Sequence, residues 1–319
     1  MSSVPDDAAE SGSKPSAQST PGIVWPGARI LSWPEAAPFG PGLDRPLPAV
    51  EAPGEDLILC LHGFPSTPLC YRLVEGAARS RGFDLAAPLM PGCGTVPGDI
   101  LEFSYQDWVA FGTDLWRRLR PRWKRAWLVG TSVGGSAALE IAAAFAANDA
   151  LSPSGIATIG SPVVLNAPLR RGMMKSALLY FAGALSPFVP AMGAAMPDAA
   201  REGEDGDERW RGYLGTYAAF SHSLQKGLRS LERRLGSVRA PALALHEVRD
   251  RMIDPRNARI IADETGGGGE ARYFDMGDAG HMRHDLLLYD STRDRAWSAI
   301  LDHFDAIREA GDGPRGRMY

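Results

Sequence analysis

The chain has 319 residues, 45% of them apolar, a net charge of −4 and an isoelectric point near 5.9. That size supports a large buried core, in one domain or in a domain with an insertion. The slight negative charge offers nothing to a polyanion, so no nucleic-acid partner is expected, and no apolar run reaches the roughly 18 residues needed to span a bilayer.

Met1 to Pro21 is rich in Ser, Ala and Asp, lacks an apolar signal core and reads as a disordered tail. A cytoplasmic location is the expectation that follows. Residues 22–54 are rich in Pro and Gly, with Trp25, Trp33 and Phe39, and read as an extended lead-in strapped across a surface. From Asp56 onward short β-favouring runs recur at Leu57–Leu61, Phe83–Ala87, Ala126–Val129, Ile156–Ile159, Leu243–Leu245 and Arg272–Phe274. Between and after them come helix-like segments at Leu69–Arg81, Tyr105–Leu119, Val133–Asn148, Pro255–Glu264 and Thr292–Ala310. Strands alternating with helices predict an α/β fold with a mostly parallel sheet covered on both faces. Asp254 before Pro255 reads as a helix cap, and Ser291-x-x-Asp294 resembles a capping box.

The alternation stops between about Pro162 and Val238, a Met- and aromatic-rich interval split by acidic residues from Glu202 to Glu208. No clear strand falls there, which suggests a mostly helical cap inserted over the strand ends. The expected organisation is therefore a tail at 1–21, a lead-in at 22–54, a core built from 55–161 and 239–310, a cap at 162–238, and a C-terminal tail at 311–319.

The chemistry concentrates in a few segments. Arg125 to Leu139 passes from an apolar strand through Gly130-Thr131-Ser132-Val133-Gly134 into an alanine-rich helix. A turn this tight forces the serine backbone into strain, so its neighbours two before and two after must be tiny. Gly-x-Ser-x-Gly alone is a weak signal, and its context has to support it. Upstream, Leu61-His62-Gly63-Phe64-Pro65 ends a strand in a loop whose Phe64 N–H can donate, whereas Pro65 cannot. With the N–H of Val133 it would form the donor pair of an oxyanion hole. Downstream, Asp250 and Asp254 follow the strand at Leu243–Leu245, and His281 and His284 follow the strand ending at Phe274. His281, directly after Gly280, reads as the base, and His284 as the start of the next segment. Asp250 reads as the acid that orients it, since Asp254 is already explained as a cap. His246, His222 and His303 read as packing or surface residues.

With these segments in place the chain resembles the α/β-hydrolase family, most of all its bacterial carboxylesterase and monoacylglycerol lipase-like branch, from about Leu57 to Phe304. Leu-His-Gly-Phe at 61–64, Gly-Thr-Ser-Val-Gly-Gly at 130–135, Arg-Asp-Arg-Met-Ile-Asp-Pro at 249–255 and Ala-Gly-His at 279–281 carry the likeness, supported by Pro-Gly-Cys-Gly-Thr at 91–95 and Tyr-Gln-Asp-Trp at 105–108. The resemblance implies an α/β-hydrolase fold with a helical cap. It also implies Ser132 as nucleophile, Asp250 as acid, His281 as base, and Phe64 and Val133 as oxyanion donors. Cys93 departs from the histidine common in relatives at that turn.

A serine hydrolase of carboxylic esters is the expected function, acting through an acyl-enzyme without cofactor or metal. The Met- and aromatic-rich cap leans toward an apolar acyl group. Thioesterase, lactonase or acyltransferase chemistry would use the same triad, and a non-catalytic binding protein on the same fold is the rival from another class.

Overall fold

Six of the β-favouring runs pair side by side into one parallel sheet, in a computed structural model that describes residues 28–29, 38, 54–192, 205–206, 209–278 and 282–312. The elements, in chain order, begin with β1 (Ala28–Arg29), β2 (Asp56–Leu61), α1 (Leu69–Arg72), α2 (Glu75–Ser80), β3 (Phe83–Ala86), α3 (Tyr105–Leu119), β4 (Arg125–Thr131), α4 (Val133–Ala144) and β5 (Gly155–Ile159). The interval expected as a cap holds β6 (Asn166–Ala167), α5 (Pro168–Arg171), β7 (Met173–Met174), α6 (Leu178–Leu185), β8 (Ala191–Met192), β9 (Gly212–Tyr213), β10 (Thr216–Tyr217) and α7 (Ala218–Arg234). The chain then returns to the main sheet with β11 (Ala242–Glu247), α8 (Arg256–Glu264), β12 (Gly269–Phe274) and α9 (Arg293–Asp312).

The sheet order is β12-β11-β5-β4-β2-β3, with every pairing parallel. Side chains alternate across a strand. Leu57, Leu59 and Leu61 of β2 therefore join one core with α3, α4, α7 and α8, while Ile58 and Cys60 join a second core with α1, α2 and α9. Both faces are covered, which is why β2 and β4 read as nearly unbroken apolar runs. On the second face Phe304 of α9 stacks on Trp127 of β4, ring centroids 4.6 Å apart.

Several helix boundaries move from their predicted places. The helix expected over Leu69–Arg81 is two short ones, because Val74 leaves helical geometry (φ −117°, ψ 1°) and is buried in the core. The helix after Ser132 stops at Ala144, where Phe145 turns out of helical geometry and tucks inward. Asp254 does cap, its Oδ1 accepting from the Arg256 N–H at 3.0 Å. The box read at Ser291 and Asp294 does not form: the Ser291 N–H donates to Asp205, and Asp294 is exposed. A true capping box stands at Ser104 and Asp107, opening α3.

The 162–238 interval contains two-residue strands that no periodicity announces. β6 pairs with β7 and β8 with β10, while β9 pairs with β1 from the lead-in. Its last helix, α7, lies against the core. Leu228 and Leu231 pack with α3 and α4, Gly227 sits against the Tyr105 ring, and Arg234 is ion-paired with Glu140 of α4. The expected 1–21 tail, residues 313–319 of the expected 311–319 tail, and residues 202–204 and 207–208 of the acidic stretch lie outside the described residues, while Gly311 and Asp312 still belong to α9.

Candidate active site

β4 delivers Thr131 and then Ser132 at the sheet's carboxyl edge, and α4 begins at the next residue. Ser132 holds φ +52° and ψ −124°, a conformation that side chains rarely adopt. The chain can turn so sharply because a Cβ on Gly130 would lie 2.4 Å from the Gly134 carbonyl, and one on Gly134 would lie 2.0 Å from Leu61 O. The Ser132 N–H donates to Ile159 O at 2.7 Å, pinning the turn to the end of β5. Ser132 is 7% exposed. Val133 opens α4, so its N–H has no acceptor within the helix.

The loop after β2 closes on this serine. A Cβ on Gly63 would stand 3.1 Å from Ser132 Cβ and 3.3 Å from Thr131 O, so any larger residue would crowd the serine. His62 braces the loop from below. The Met90 N–H donates to its Nε2 at 2.9 Å, which leaves Nδ1 as the donor to Gly63 O, also at 2.9 Å. Burial pushes the His62 pKa down to about 4, so the ring is neutral at ordinary pH and both bonds persist. The Phe64 ring stacks on Phe220 with centroids 3.7 Å apart, and meets Trp108 and Tyr217 edge-on. Two of these partners, Tyr217 and Phe220, come from the interval expected as a cap.

The loop after β11 carries Asp250, whose side chain is fully buried. Its Oδ1 accepts from the N–H groups of Met252 (2.6 Å) and Ile253 (2.9 Å). Its Oδ2 meets His284 Nδ1 at 2.7 Å. His246 Nε2 lies 3.0 Å from the same oxygen without hydrogen-bond alignment. Burial opposes the Asp250 anion, yet the charge of His284 and the contacts of both imidazoles outweigh it and hold the carboxyl well below the usual range. Burial likewise opposes the His284 cation, but the Asp250 charge and hydrogen bond prevail and raise its pKa above the ordinary value. The His284 ring lies against Gly160, where a Cβ would meet Cε1 at 3.1 Å and Nδ1 at 3.2 Å. Gly160 directly follows Ile159, the residue that accepts from Ser132. Imidazole and serine therefore flank the same strand end.

The expected base, His281, lies outside the described residues, and the imidazole joined to Asp250 is His284. The expectation set His284 aside as the start of the next segment. α9 opens only at Arg293, so position 284 is still loop and free to turn toward Asp250. His246, expected as a packing or surface residue, is buried at the end of β11, four residues before Asp250 and in contact with it. Asp254, the rejected acid, pairs with Arg256 instead. Cys93 is buried, and burial raises its thiol pKa, so the ionised form is disfavoured.

Among the described residues no group of His, Cys, Asp and Glu is gathered as a metal site, and no helix is long and apolar enough to cross a membrane. A cavity of about 430 Å³ opens between α7 and residues 163–170, lined in part by Val163, Leu165, Gln225 and Leu228. Ser132 and His284 do not border it.

A parallel sheet with a strained serine between strand and helix, a His-Gly loop against it and a carboxylate–imidazole pair beyond it define a hydrolase architecture. The chain belongs to the alpha/beta hydrolase family, whose pattern it matches over residues 58–306. It is 25% identical to a thermostable monoacylglycerol lipase of Bacillus sp. (strain H-257) over 204 residues, 64% of this chain and 74% of that protein. The fold is similar to that in a structural study of LipS and LipT, two metagenome-derived lipolytic enzymes (TM-score 0.66, 23% identity, 88% of this chain and 100% of that one). It is also similar to the monoacylglycerol lipase of Paleococcus ferrophilus (TM-score 0.65, 16% identity, 85% and 98%).

Proposed function

We propose that this protein hydrolyses carboxylic esters by serine catalysis, with Ser132 as nucleophile, His284 as base and Asp250 as the acid that orients it. The observation that carries the reading is the His284–Asp250 pair, bonded at 2.7 Å and resting against the strand end that holds Ser132. Because Nδ1 is committed to Asp250, Nε2 is the nitrogen left for the serine hydroxyl. Ser132 Oγ attacks the ester carbonyl as Nε2 takes its proton. The oxyanion that forms is stabilised by the N–H groups of Phe64 and Val133. Collapse breaks the ester C–O bond, and His284 returns the proton to the departing alcohol. Water, deprotonated by the same nitrogen, then attacks the acyl-enzyme. The carboxylic acid leaves, and Ser132 recovers its proton.

The substrate in this reading is a small-molecule ester with an apolar acyl group. Phe64, partly exposed in the oxyanion loop and backed by the buried rings of Trp108, Tyr217 and Phe220, makes that loop apolar, which favours hydrocarbon over polar chains. The lipolytic relatives point to the same class. A fluorophosphonate probe followed by peptide mass spectrometry tests the proposal without assuming a substrate. One adduct per chain on Ser132 is expected, with none in a folded Ser132→Ala variant. Turnover of p-nitrophenyl esters by Ser132→Ala at the wild-type rate would overturn the assignment.

A further inference from the structure

Among the described residues two non-glycine positions hold a positive φ: Ser132 at +52° and Arg283 at +50°. The first is the strained turn of the proposed nucleophile. The second stands immediately before the proposed base. A residue with a long side chain adopts this backbone only when its surroundings impose it, and such strain gathers at functional sites.

The imposing contacts are buried. The Arg283 side chain is 5% exposed, and its guanidinium is ion-paired with the carboxylate of Glu247, which is 0% exposed. Arg283 Nη1 also donates to Gly277 O at 2.6 Å, and its backbone N–H donates to the Tyr289 hydroxyl at 3.0 Å. Glu247 is the last residue of β11, three before Asp250. Its Oε2 accepts from the Arg249 N–H and its Oε1 from the Met276 N–H at 3.3 Å. One buried ion pair thus ties the strand that launches the acid to the loop that carries the imidazole. An ion pair alone would only anchor that loop. The left-handed turn at Arg283 also decides the direction in which residue 284 leaves.

We propose that Arg283, held by Glu247, is a positioning residue of the hydrolytic site. Its left-handed backbone aims His284 at Asp250, and the buried pair keeps that geometry from relaxing. The proposal rests on His284 being the base.

The test compares wild type with Glu247→Gln and Arg283→Lys, each titrated with a fluorophosphonate so that turnover is expressed per reactive serine. Expected are a fall of roughly 10- to 100-fold in kcat per titrated site, with KM changed less than about threefold. The acid limb of the kcat/KM profile should also move to lower pH as His284 loses the support of Asp250. A purely structural pair would instead lower the titratable fraction. In that case kcat per site stays within about twofold of wild type and the pH midpoint does not move, which overturns the proposal. Should Glu247→Gln not fold, Arg283→Lys carries the comparison, since it keeps a charge for Glu247 and removes the fork. His284→Ala answers the prior question separately. Wild-type labelling of Ser132 in that variant overturns the base assignment, whereas lost labelling beside an unaffected Arg283→Lys overturns only the positioning role.

Discussion

Asp250 is the residue on which the electrostatics of the site turn. Its carboxylate is buried, takes two backbone N–H groups on one oxygen and faces two imidazoles with the other. Asn at this position would keep the shape and lose the charge that fixes the His284 tautomer. Asp250→Asn is expected to lower kcat on the order of 10⁴-fold, the size of the loss in a serine protease with the corresponding change. The raised pKa of His284 gives this residue a pH signature. The base must be neutral, so kcat/KM should rise with pH through a midpoint above about 6.5. The stability that His284 gains from Asp250 runs the other way: it is fully present below about pH 6.5 and is lost as pH rises through the folded-state value. An activity profile that fell over this range would contradict the role of His284 as base. In Asp250→Asn the midpoint should drop, because burial would then be opposed chiefly by the weaker pull of the Asp285 charge.

At the scale of elements, Asn257 at the start of α8 holds the segment leaving β5. Its Oδ1 accepts from the N–H groups of Val163 and Val164, both at 2.8 Å, and its Nδ2 donates to Val164 O and Asp254 O. Asn257→Ala would strand two buried donors, at a cost of about 3 kcal/mol. Urea denaturation should show a lower midpoint with an unchanged slope. The six strands and their parallel pairing were legible because Leu57–Leu61 or Ala126–Val129 must be buried on both faces, and such runs are continuous in sequence. The α1–α2 break and β6 to β10 were not. Two-residue strands have no period to read, and Val74 leaves its helix because the core accepts its side chain. α7 falls in the interval expected as a cap, and its buried residues Leu224, Leu228 and Leu231 follow the helical period. What it packs against, α3 and α4, lies about a hundred residues earlier in the chain.

At the scale of the molecule, Asp56 joins the adjacent strands β2 and β4 to the last helix, α9. It is 2% exposed, accepts from Arg125 at 2.6 Å and from Trp127 Nε1 at 3.2 Å, and lies 3.5 Å from Arg308 of α9. Burial works against its ionisation, but the Arg125 and Trp127 donors win and lower its pKa. Its contribution is therefore present above about pH 3.9, the unfolded value, and lost as pH falls through the folded one. Asp56→Ala should cost about 3 kcal/mol at pH 7 by leaving Arg125 without its buried partner. By calorimetry the gap to wild type should close on acidification; a constant gap would assign the loss to packing.

The sequence by itself determined the fold, Ser132 and Asp250 as candidates, and the glycines around the turn. Each of these depends on near neighbours: a strand's burial, a tight turn's lack of room, an acid just past a strand end. Tertiary structure alone decided that His284 meets Asp250. Position 284 lies in the loop between β12 and α9, and no local pattern tells that its side chain turns toward the acid. The answer lies in a left-handed backbone at Arg283, and that backbone is held by Glu247, 36 positions away at the end of β11.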